Sequence, residues 1–181
     1  DMLRYDRARG LQFYADALAR IRALPGVESA ATAWRLPFSL NFGDQQFDVR
    51  GQLSPDDRGF SLRTTWVSPD YFRTLGVPLL QGRAFTEADT PESPRVVIVN
   101  EALARRFWPE QSPVGQRLAL KQRPGPPYEI VGVVADYRLQ TVGEPPTPYV
   151  HFANTQRPDQ AQVVFARTRH DAARLLAETK G

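Results

Sequence analysis

The most constraining feature of this sequence is a dense series of helix and strand boundaries between residues 66 and 120. Ser68 and Pro69 predict a helix start there, because a serine hydroxyl can cap the first turn and proline already has a helical φ. Gly76 predicts the end of this helix, where a left-handed residue is favoured. Elements punctuated so closely must be short, and sixteen prolines in 181 residues limit helix length in the rest of the chain too.

The middle of this stretch predicts two strands separated by a turn and a spacer. Residues 77–80 and 96–99 are compact apolar runs of strand length. Between them, Thr86 is followed three residues later by Asp89, which is close to a capping box. Residues 90–94 contain two prolines and interrupt the apolar pattern, so we expect a spacer there.

A second helix is predicted after the strand over residues 96–99. Asn100 is a favoured N-cap, and Leu103, Phe107 and Trp108 follow on one side of the helix before a proline stops it. Because both aromatic rings complete the apolar side, we expect them to be buried in a core.

The remaining elements flank this stretch. Apolar residues at helical spacing predict an amphipathic helix over residues 7–24, packed on a sheet, and a final helix over residues 171–178. Alternating and β-branched patterns predict further strands over residues 27–34, 47–50, 62–67, 116–120, 128–136, 149–152 and 162–167. Proline, glycine and aspartate content predicts loops or turns over residues 37–44, 55–59, 112–115 (type I), 121–127 and 139–148.

A second spacer is predicted over residues 154–159. The two spacers enclose a strand, one helix and several further strands, while the flanking pieces complete each other as one layer. We therefore predict an α+β fold in which residues 1–90 and 157–181 form a discontinuous α/β subdomain. Residues 91–156 form a smaller, inserted β-rich lobe that carries one helix.

Three strings of this sequence resemble the extracytoplasmic core domain of MacB-like and FtsX-like ABC transporter permeases. They are VSPDYFRTLGVPLLQGRAFTEADT, VVIVNEALARRFWPEQSPVGQRL and YEIVGVVADYR. The resemblance extends from about Arg22 to about Phe152 and lies in the order and spacing of the strings. It is nearest to a branch of duplicated permeases that often lack a fused ATPase.

The resemblance implies the same division of the chain, with a discontinuous porter-like subdomain and an inserted lobe. Family members continue into another porter strand after the last helix, so we expect this subdomain to be incomplete at its C-terminal end. The resemblance also implies one membrane helix before Asp1 and others after Gly181, in the bacterial inner membrane, with this domain on the periplasmic side. The implied partners are the rest of the same permease, a cytoplasmic ABC ATPase acting indirectly, an exported substrate or extracytoplasmic protein, and a second copy in a dimer.

Composition excludes several functions. The chain has no cysteine, and so no disulfide framework, thiol nucleophile or thiolate metal site. It lacks both glycine-rich phosphate-binding motifs, so we predict neither nucleotide hydrolysis by this chain nor a cofactor. No run approaches the roughly 18 apolar residues of a membrane helix. The net charge of +3 is no nucleic-acid signature.

The histidines and acidic residues show no metal-site pattern. His151 and His170 lack a second histidine or a carboxylate at ligand spacing on a helix. Glu87, Asp89 and Glu92 could offer oxygen atoms to a hard cation, but they lack the ligand order and the glycine of an EF-hand loop. A capped turn followed by a solvated spacer is the favoured interpretation, and we predict no metal ligand.

Nucleophilic catalysis has equally little support. Ser39, Ser68 and Ser112 lie in no G-x-S-x-G motif and have no histidine placed as a base. Asp136 follows the apolar run over residues 130–135, a place where enzymes put carboxylates, yet it has no assigned chemistry in the family. We therefore predict no catalytic residue.

A basic and aromatic cluster leaves one alternative open. Cationic side chains surround Phe107 and Trp108, a mixture that can bind and stack single-stranded nucleic acid. The cations are Arg105, Arg106, Arg117, Lys121 and Arg123.

The favoured function is a non-catalytic extracytoplasmic permease domain that transmits an ATP-driven movement to a substrate or partner. Its two lobes shift relative to each other, with the spacers as hinges, or relative to a second copy. A partner-binding signalling role in an FtsX-like complex belongs to the same family. An enzyme with a nonstandard site and a nucleic-acid-binding module are the alternatives from other classes.

Overall fold

A computed structural model of the chain describes residues 7–35, 43–49, 58–123, 125–138, 143, 145–157 and 162–169. Within these ranges the helices are α1 Arg7–Arg22, α2 Tyr71–Leu75 and α3 Glu101–Phe107, and none of them is long and apolar enough to cross a membrane. The strands are β1 Val27–Ala33, β2 Gly43–Val49, β3 Phe60–Val67, β4 Leu79–Gly82, β5 Val96–Asn100, β6 Arg117–Leu120, β7 Tyr128–Val134, β8 Tyr149–Ala153 and β9 Val163–Thr168. A 3₁₀ turn, Asn154–Gln156, follows β8.

Six of the strands close into a barrel. Their order is β2-β6-β7-β5-β8-β3, and β3 pairs again with β2. The pairs β3–β8 and β5–β7 are parallel, while β2–β3, β2–β6, β6–β7 and β5–β8 are antiparallel. Closure gives each of these strands a partner on both sides, which removes the free edges at which sheets aggregate.

Alternate side chains fill the barrel interior. Every second residue of a pleated strand points to the same face, and here that face is apolar. A register shift between β5 and β7 places both Ile130 and Val133 in the interior. The buried interior residues of the strands are Phe47, Val49, Leu62, Trp66, Val97, Val99, Leu118, Ile130, Val133, Val150 and Phe152.

Helix α3 covers one end of the barrel. The side-chain oxygen of Asn100 accepts the backbone N–H of Leu103 at 3.3 Å and so caps the helix, as predicted. Leu103, Phe107 and Trp108 are buried and join the interior cluster. The Phe107 ring meets that of Phe60, at the start of β3, edge to face at 4.8 Å. Each such side chain contributes about 1.5–3 kcal/mol by burial.

A second layer lies against the outside of the barrel. Strand β1 pairs with β9 over six residues, but it meets β3 at the single register pair of Ala33 and Val67. Helix α1 contacts β1 and β9, and so does α2. Tyr71 and Phe72 of α2 belong to a second apolar cluster, which also contains outward-facing residues of β5, β7 and β8, and the half-buried Phe165 of β9 packs against it. Barrel and second layer therefore share a packed apolar interface.

Strand β4 lies antiparallel to the second half of β7. Gly82 has a φ of +72°, and a Cβ at this position would collide with the carbonyl oxygen of Val131. A Cβ at Gly132 would collide in the same way with the carbonyl oxygen of Arg83. The two backbones approach so closely that only glycine fits at these positions.

The predicted α+β class is confirmed, and most predicted elements lie within a few residues of the observed ones. Gly76 ends α2 in the left-handed conformation, as predicted. The predicted turn over residues 112–115 is wrong by one residue. The N–H of Gln116 donates to the carbonyl of Pro113, with Gly115 at a φ of +88° in the third position, which is the pattern of a type II turn. Strand β2 begins at Gly43, inside a predicted loop.

Several predictions fall outside the described residues. They are the helix over residues 171–178, most of the loops over residues 37–44 and 55–59, and part of the loop over residues 139–148. The predicted domain division at residues 90 and 157 stays a prediction. The hydrogen-bonded sheet crosses both of these positions, because the barrel combines β2 and β3 with strands from residues 91–156.

Candidate functional site

The first predicted spacer lies beside residues 154–157, the described part of the second, and the two are joined by the side chain of Gln156. Its Oε1 accepts the backbone N–H of Val96 at 3.0 Å. Its Nε2 lies near three oxygen atoms, the carbonyls of Thr90 at 3.3 Å and Pro94 at 2.8 Å and the hydroxyl of Ser93 at 3.1 Å. We call this set of contacts the spacer junction. One amide thus uses its acceptor and both of its donor hydrogens to hold two segments that are distant in sequence.

The first spacer is folded on itself before it meets Gln156. The backbone N–H of Ser93 donates to the carbonyl of Thr90 at 3.1 Å, and its hydroxyl donates to the same carbonyl at 2.9 Å. Pro91 and Pro94 restrict φ on either side of this turn. The carbonyl groups that face Gln156 are therefore held in place by local geometry.

Asn154 connects the second spacer to the second layer. Its Nδ2 donates to the hydroxyl of Thr32 and to the side-chain oxygen of Gln162, both at 2.9 Å. Asn154 and Thr32 are both buried, so the bond between them is shielded from water. The residues after β8 thus bind the first spacer through Gln156 and strand β1 through Asn154.

Ser68 does not cap helix α2, and that prediction is wrong. The Ser68 hydroxyl oxygen accepts the backbone N–H of Thr32 at 2.9 Å, and the Ser68 N–H donates to the Thr32 carbonyl at 2.9 Å. Asp70 takes the N-cap position without a side-chain capping bond and pairs with Arg22 at 2.7 Å. The chain is still paired with β1 at Ser68, so the hydroxyl extends that pairing and plays a structural part.

An ion pair fixes the loop that leads into the first spacer. Nη1 and Nη2 of Arg83 donate to the two carboxylate oxygens of Asp89 at 2.9 and 2.8 Å, and the N–H of Thr86 donates to the same carboxylate at 2.8 Å. Burial raises the pKa of Asp89, but the bonds from Arg83 and Thr86 outweigh it and hold that pKa below its ordinary value. The predicted capping-box contact forms, yet it closes a turn and no helix follows.

His151 lies in a buried hydrogen-bond chain on the outer face of the barrel. Its Nδ1 is 3.1 Å from the carbonyl oxygen of Ile98, and its Nε2 is 2.6 Å from the hydroxyl of Tyr137, which is 3.3 Å from that of Tyr71. Since a carbonyl only accepts, Nδ1 carries the proton and Nε2 accepts from Tyr137. Burial lowers the pKa of His151 to about 3 and raises the pKa of both tyrosines, so the chain of groups is neutral near pH 7.

Asp136 holds the start of helix α3. Its Oδ1 accepts Nδ2 of Asn100 at 2.7 Å and the N–H of Ala102 at 2.8 Å, and its Oδ2 accepts Nη2 of Arg105 at 2.7 Å. A carboxylate at a helix N-terminus is stabilised by the helix dipole. Asn100 also accepts the N–H of Tyr149 at 2.8 Å and so ties β8 to the same cap. Both carboxylate oxygens of Asp136, which the sequence suggested as a catalytic candidate, are thus bound to structural partners.

The acidic residues considered as cation ligands do not converge. Asp89 is bound to Arg83, while Glu87 and Glu92 are exposed. In the part of the chain that the structure describes, no three His, Asp or Glu side chains come close enough together to hold a metal ion. His170 lies outside this part.

The basic and aromatic cluster does not form a stacking surface. Phe107 and Trp108 are 5% and 8% exposed and belong to the barrel core, as predicted. Arg105 is paired with Asp136, and the guanidinium group of Arg106 lies 5.2 Å from the ring centroid of Phe107. The rings that nucleic-acid bases would need are therefore turned inward.

The other residues singled out by the sequence are scattered. Arg117 and Arg123 are exposed, and Lys121 lies 3.6 Å from a carboxylate oxygen of Asp48. The hydroxyl of Ser112 accepts the N–H of Val114 at 3.3 Å within the turn before β6. Ser39 lies outside the described residues.

Sequence reasoning missed Gln156, Asn154 and Tyr137. Each is a polar residue in an irregular segment, where neither helical nor alternating periodicity gives a signal. Their partners lie far along the chain, so only the folded backbone brings them together. The two prolines around Ser93 indicated a rigid segment but did not identify what it binds.

A family model described as MacB-like periplasmic core domain matches residues 5–179 of the chain. The macrolide export ATP-binding/permease protein MacB of Aggregatibacter actinomycetemcomitans is 32% identical over 73 residues. The protein of the same name from Mannheimia succiniciproducens is 27% identical over 73 residues. Each match covers 40% of this chain and 11% of the relative, so the chain corresponds to a small part of these relatives.

Solved structures show the same fold at low sequence identity. The periplasmic region of MacB from Actinobacillus actinomycetemcomitans gives a TM-score of 0.62 at 17% identity, covering 92% of this chain and 69% of that chain. The extracellular domain of the noncanonic ABC-type transporter YknZ from Gram-positive bacteria gives a TM-score of 0.56 at 16% identity, covering 92% of this chain and 83% of that chain. A domain of a putative permease protein from Porphyromonas gingivalis gives a TM-score of 0.57 at 17% identity, covering 90% of this chain and 73% of that chain.

Proposed function

Because this chain belongs to the family of MacB-like periplasmic core domains, we propose that it is the extracytoplasmic domain of an ABC-type permease in the bacterial inner membrane. It transmits ATP-driven conformational change to an exported substrate or an extracytoplasmic protein. Its partners are the membrane helices of the same permease, a cytoplasmic ATPase that acts through them, and a second copy of the domain. The domain itself catalyses no reaction.

The relatives support this assignment at the level of the whole protein. Two of them are named macrolide export ATP-binding/permease proteins, which favours a role in ATP-driven export. Macrolide export is a property of those proteins, of which the match covers 11%. The periplasmic and extracellular domains among the solved structures favour a position outside the cytoplasmic membrane.

The continuity of the sheet carries the mechanical part of the proposal. A displacement of residues 1–90 against residues 91–156 would break the ladders β2–β6, β3–β8 and β4–β7. It would also pull apart both close-packed apolar clusters, because each of them contains residues from both parts. The contacts therefore favour a domain that moves as one rigid body relative to the membrane and to a second copy, rather than one that bends at its spacers.

The spacer junction supports the same version of the mechanism. Gln156 holds residues 90–94 against the segment after β8, and Asn154 holds that segment against β1. Both predicted hinge segments are therefore connected by side chains to a strand or to each other. A rigid domain passes a displacement from one end to the other with less loss than a flexible domain does. Rigidity therefore suits the transmission of movement.

The described ionisable groups support a non-catalytic role. Asp136, Asp89 and His151 are each bound to a backbone or side-chain partner that explains their position. A catalytic acid or base needs a substrate within hydrogen-bond reach. The ring of His151 is completely buried, so no substrate reaches it.

Cysteine labelling tests the location. These 181 residues contain no cysteine, so in a complete protein whose other cysteines are replaced by serine, Arg117→Cys gives a single exposed thiol, on β6. A membrane-impermeant maleimide should label it in cells whose outer membrane alone is permeabilised. Val97→Cys, in the barrel interior, should stay unlabelled until the protein is denatured. Labelling of Arg117→Cys only after the inner membrane is broken would contradict the proposed location.

A further inference from the structure

Helix α1 is the least firmly packed of the three described helices. None of its side chains at residues 12–22 is buried, whereas α2 buries three of its side chains and α3 buries four. Phe13 of α1 is 63% exposed. An element with few buried apolar contacts opens at a lower cost than the core does.

A cleft of about 300 Å³ lies between α1 and the rest of the domain. Tyr14, Leu18 and Arg22 line it from the helix, and Thr32 and Asn154 line it from the opposite side. Residues spaced by four form one stripe along a helix, and this stripe is about 12 Å long. Packed interfaces contain few voids larger than a water molecule. The helix is therefore not close-packed along this stripe.

The C-terminal end of α1 is fixed to the domain. Nη2 of Arg22 donates to the carbonyl of Ala30 at 3.1 Å and to the carboxylate of Asp70 at 2.7 Å. The chain then turns through Gly26, which has a φ of +83°, and enters β1. The turn at residues 23–26 is thus the point about which the helix can pivot.

One hydrogen bond holds the helix farther from this turn. Oη of Tyr14 accepts the N–H of Gln162 at 3.0 Å. It is the only hydrogen bond between residues 12–21 and the described residues beyond the turn. Gln162 is itself held, because its Oε1 accepts Nδ2 of Asn154 at 2.9 Å. Tyr14 and Gln162 are both half-buried, so water can replace the bond between them when it breaks.

We infer that α1 is a hinged arm, which pivots at residues 23–26 and is latched by the bond between Tyr14 and Gln162. When this latch breaks, the helix swings away from β1 as a unit and the cleft widens, while the barrel keeps its structure. Arg20 lies one turn from the pivot and therefore moves far less than the N-terminal end. The use of the arm as a joint between the membrane helices and the rigid body rests on the proposed function, whereas the swing itself does not.

A thiol at Ala30 reports the swing in the purified complete protein, with its other cysteines replaced by serine. Ala30 is completely buried. It lies two residues from Thr32 on β1 and so points to the same face of the strand, which is the face beneath α1. The thiol of Ala30→Cys reacts with a maleimide only when the arm is open, so the reaction rate measures the open fraction.

Tyr14→Phe removes the latch oxygen and keeps the ring. It should raise the reaction rate of Ala30→Cys by about two- to tenfold, the effect of losing one partly exposed hydrogen bond. Tyr128→Phe is the matched control on β7, because the Tyr128 hydroxyl makes no hydrogen bond to the described residues, and it should leave the rate unchanged. Val97→Cys, in the barrel interior, should stay unreactive in the Tyr14→Phe background.

Three results would overturn the inference. An unchanged rate in Tyr14→Phe would remove the latch, and an equal rise at Ala30→Cys and Val97→Cys would assign the opening to the whole domain. A swinging helix keeps its internal hydrogen bonds, so hydrogen exchange of the α1 amides should not change in Tyr14→Phe. Exchange that accelerates as much as the labelling would mean that the helix unfolds. None of these results bears on the proposed location or transmission, because the measurements use purified protein without nucleotide.

Discussion

Replacement of Gln156 by alanine should open the spacer junction without unfolding the barrel. The important loss is the acceptor for the N–H of Val96, a residue that is only 4% exposed. An unsatisfied buried N–H costs about 1–3 kcal/mol. The oxygen atoms of Thr90, Ser93 and Pro94 lie on half-buried or exposed residues, so water can replace the lost donor there at little cost.

Hydrogen exchange of the Val96 amide measures this effect directly. A local cost of about 1–3 kcal/mol corresponds to a loss of protection of about five- to 150-fold, since about 1.4 kcal/mol is tenfold. Gln156→Glu keeps an acceptor for Val96 but loses the donor to the carbonyl groups, so Val96 should exchange more slowly in this variant than in the alanine variant. Unchanged protection of Val96 in Gln156→Ala would refute the importance of the junction.

Gln116→Ala is the matched control. Its side chain makes no hydrogen bond to the described residues, and its backbone turn bond to Pro113 is kept. This variant should leave the exchange of the Val96 amide unchanged. Equal effects of Gln116→Ala and Gln156→Ala would mean that the exchange reports general destabilisation.

Two further predictions concern the buried polar groups. Asn100→Ala removes the α3 cap and the acceptor for the N–H of Tyr149, so it should lower the free energy of unfolding in denaturant by about 2–4 kcal/mol. A loss below about 1 kcal/mol would contradict the role of this side chain. The pKa of His151 is lowered from 6.5 to about 3. The stability contributed by its neutral ring is therefore fully present above pH 6.5. Below that pH the unfolded chain binds a proton that the folded chain does not, so this stability falls toward pH 3 by about 1.4 kcal/mol per pH unit. The stability advantage of the native chain over His151→Gln should therefore shrink from pH 7 to pH 4, and an advantage independent of pH would contradict a neutral buried histidine.

Local chemistry made several elements predictable from the sequence. Asn100 as an N-cap, Gly76 as a helix end and the buried side of α3 depend on residues within one or two turns of each other. The same local pattern gave a wrong prediction at Ser68, because the Ser68 hydroxyl accepts the backbone N–H of Thr32 on β1. A capping pattern shows which hydrogen bonds a side chain can form, and the tertiary contacts determine which of them form.

Closure of the barrel could not be predicted in this way. It depends on β2, which pairs with β3 and with β6 although four of its seven residues are polar and part of it matches a loop pattern. The spacer junction follows instead from the pairing of β5 with β8, which brings Gln156, just after β8, close to Val96. The resemblance to a family predicted the fold class but not these contacts.

Distances between spin labels in the complete transporter distinguish rigid transmission of movement from bending at the spacers. Arg20→Cys on α1 and Arg117→Cys on β6 are both exposed and lie on different predicted lobes. In doubly labelled copies diluted with unlabelled protein, rigid transmission predicts the same distance with and without nucleotide. In singly labelled Arg117→Cys, it predicts that the distance between two copies changes with nucleotide. A change within one copy would contradict rigid transmission and support hinges at the spacers, and constant distances in both experiments would contradict transmission altogether.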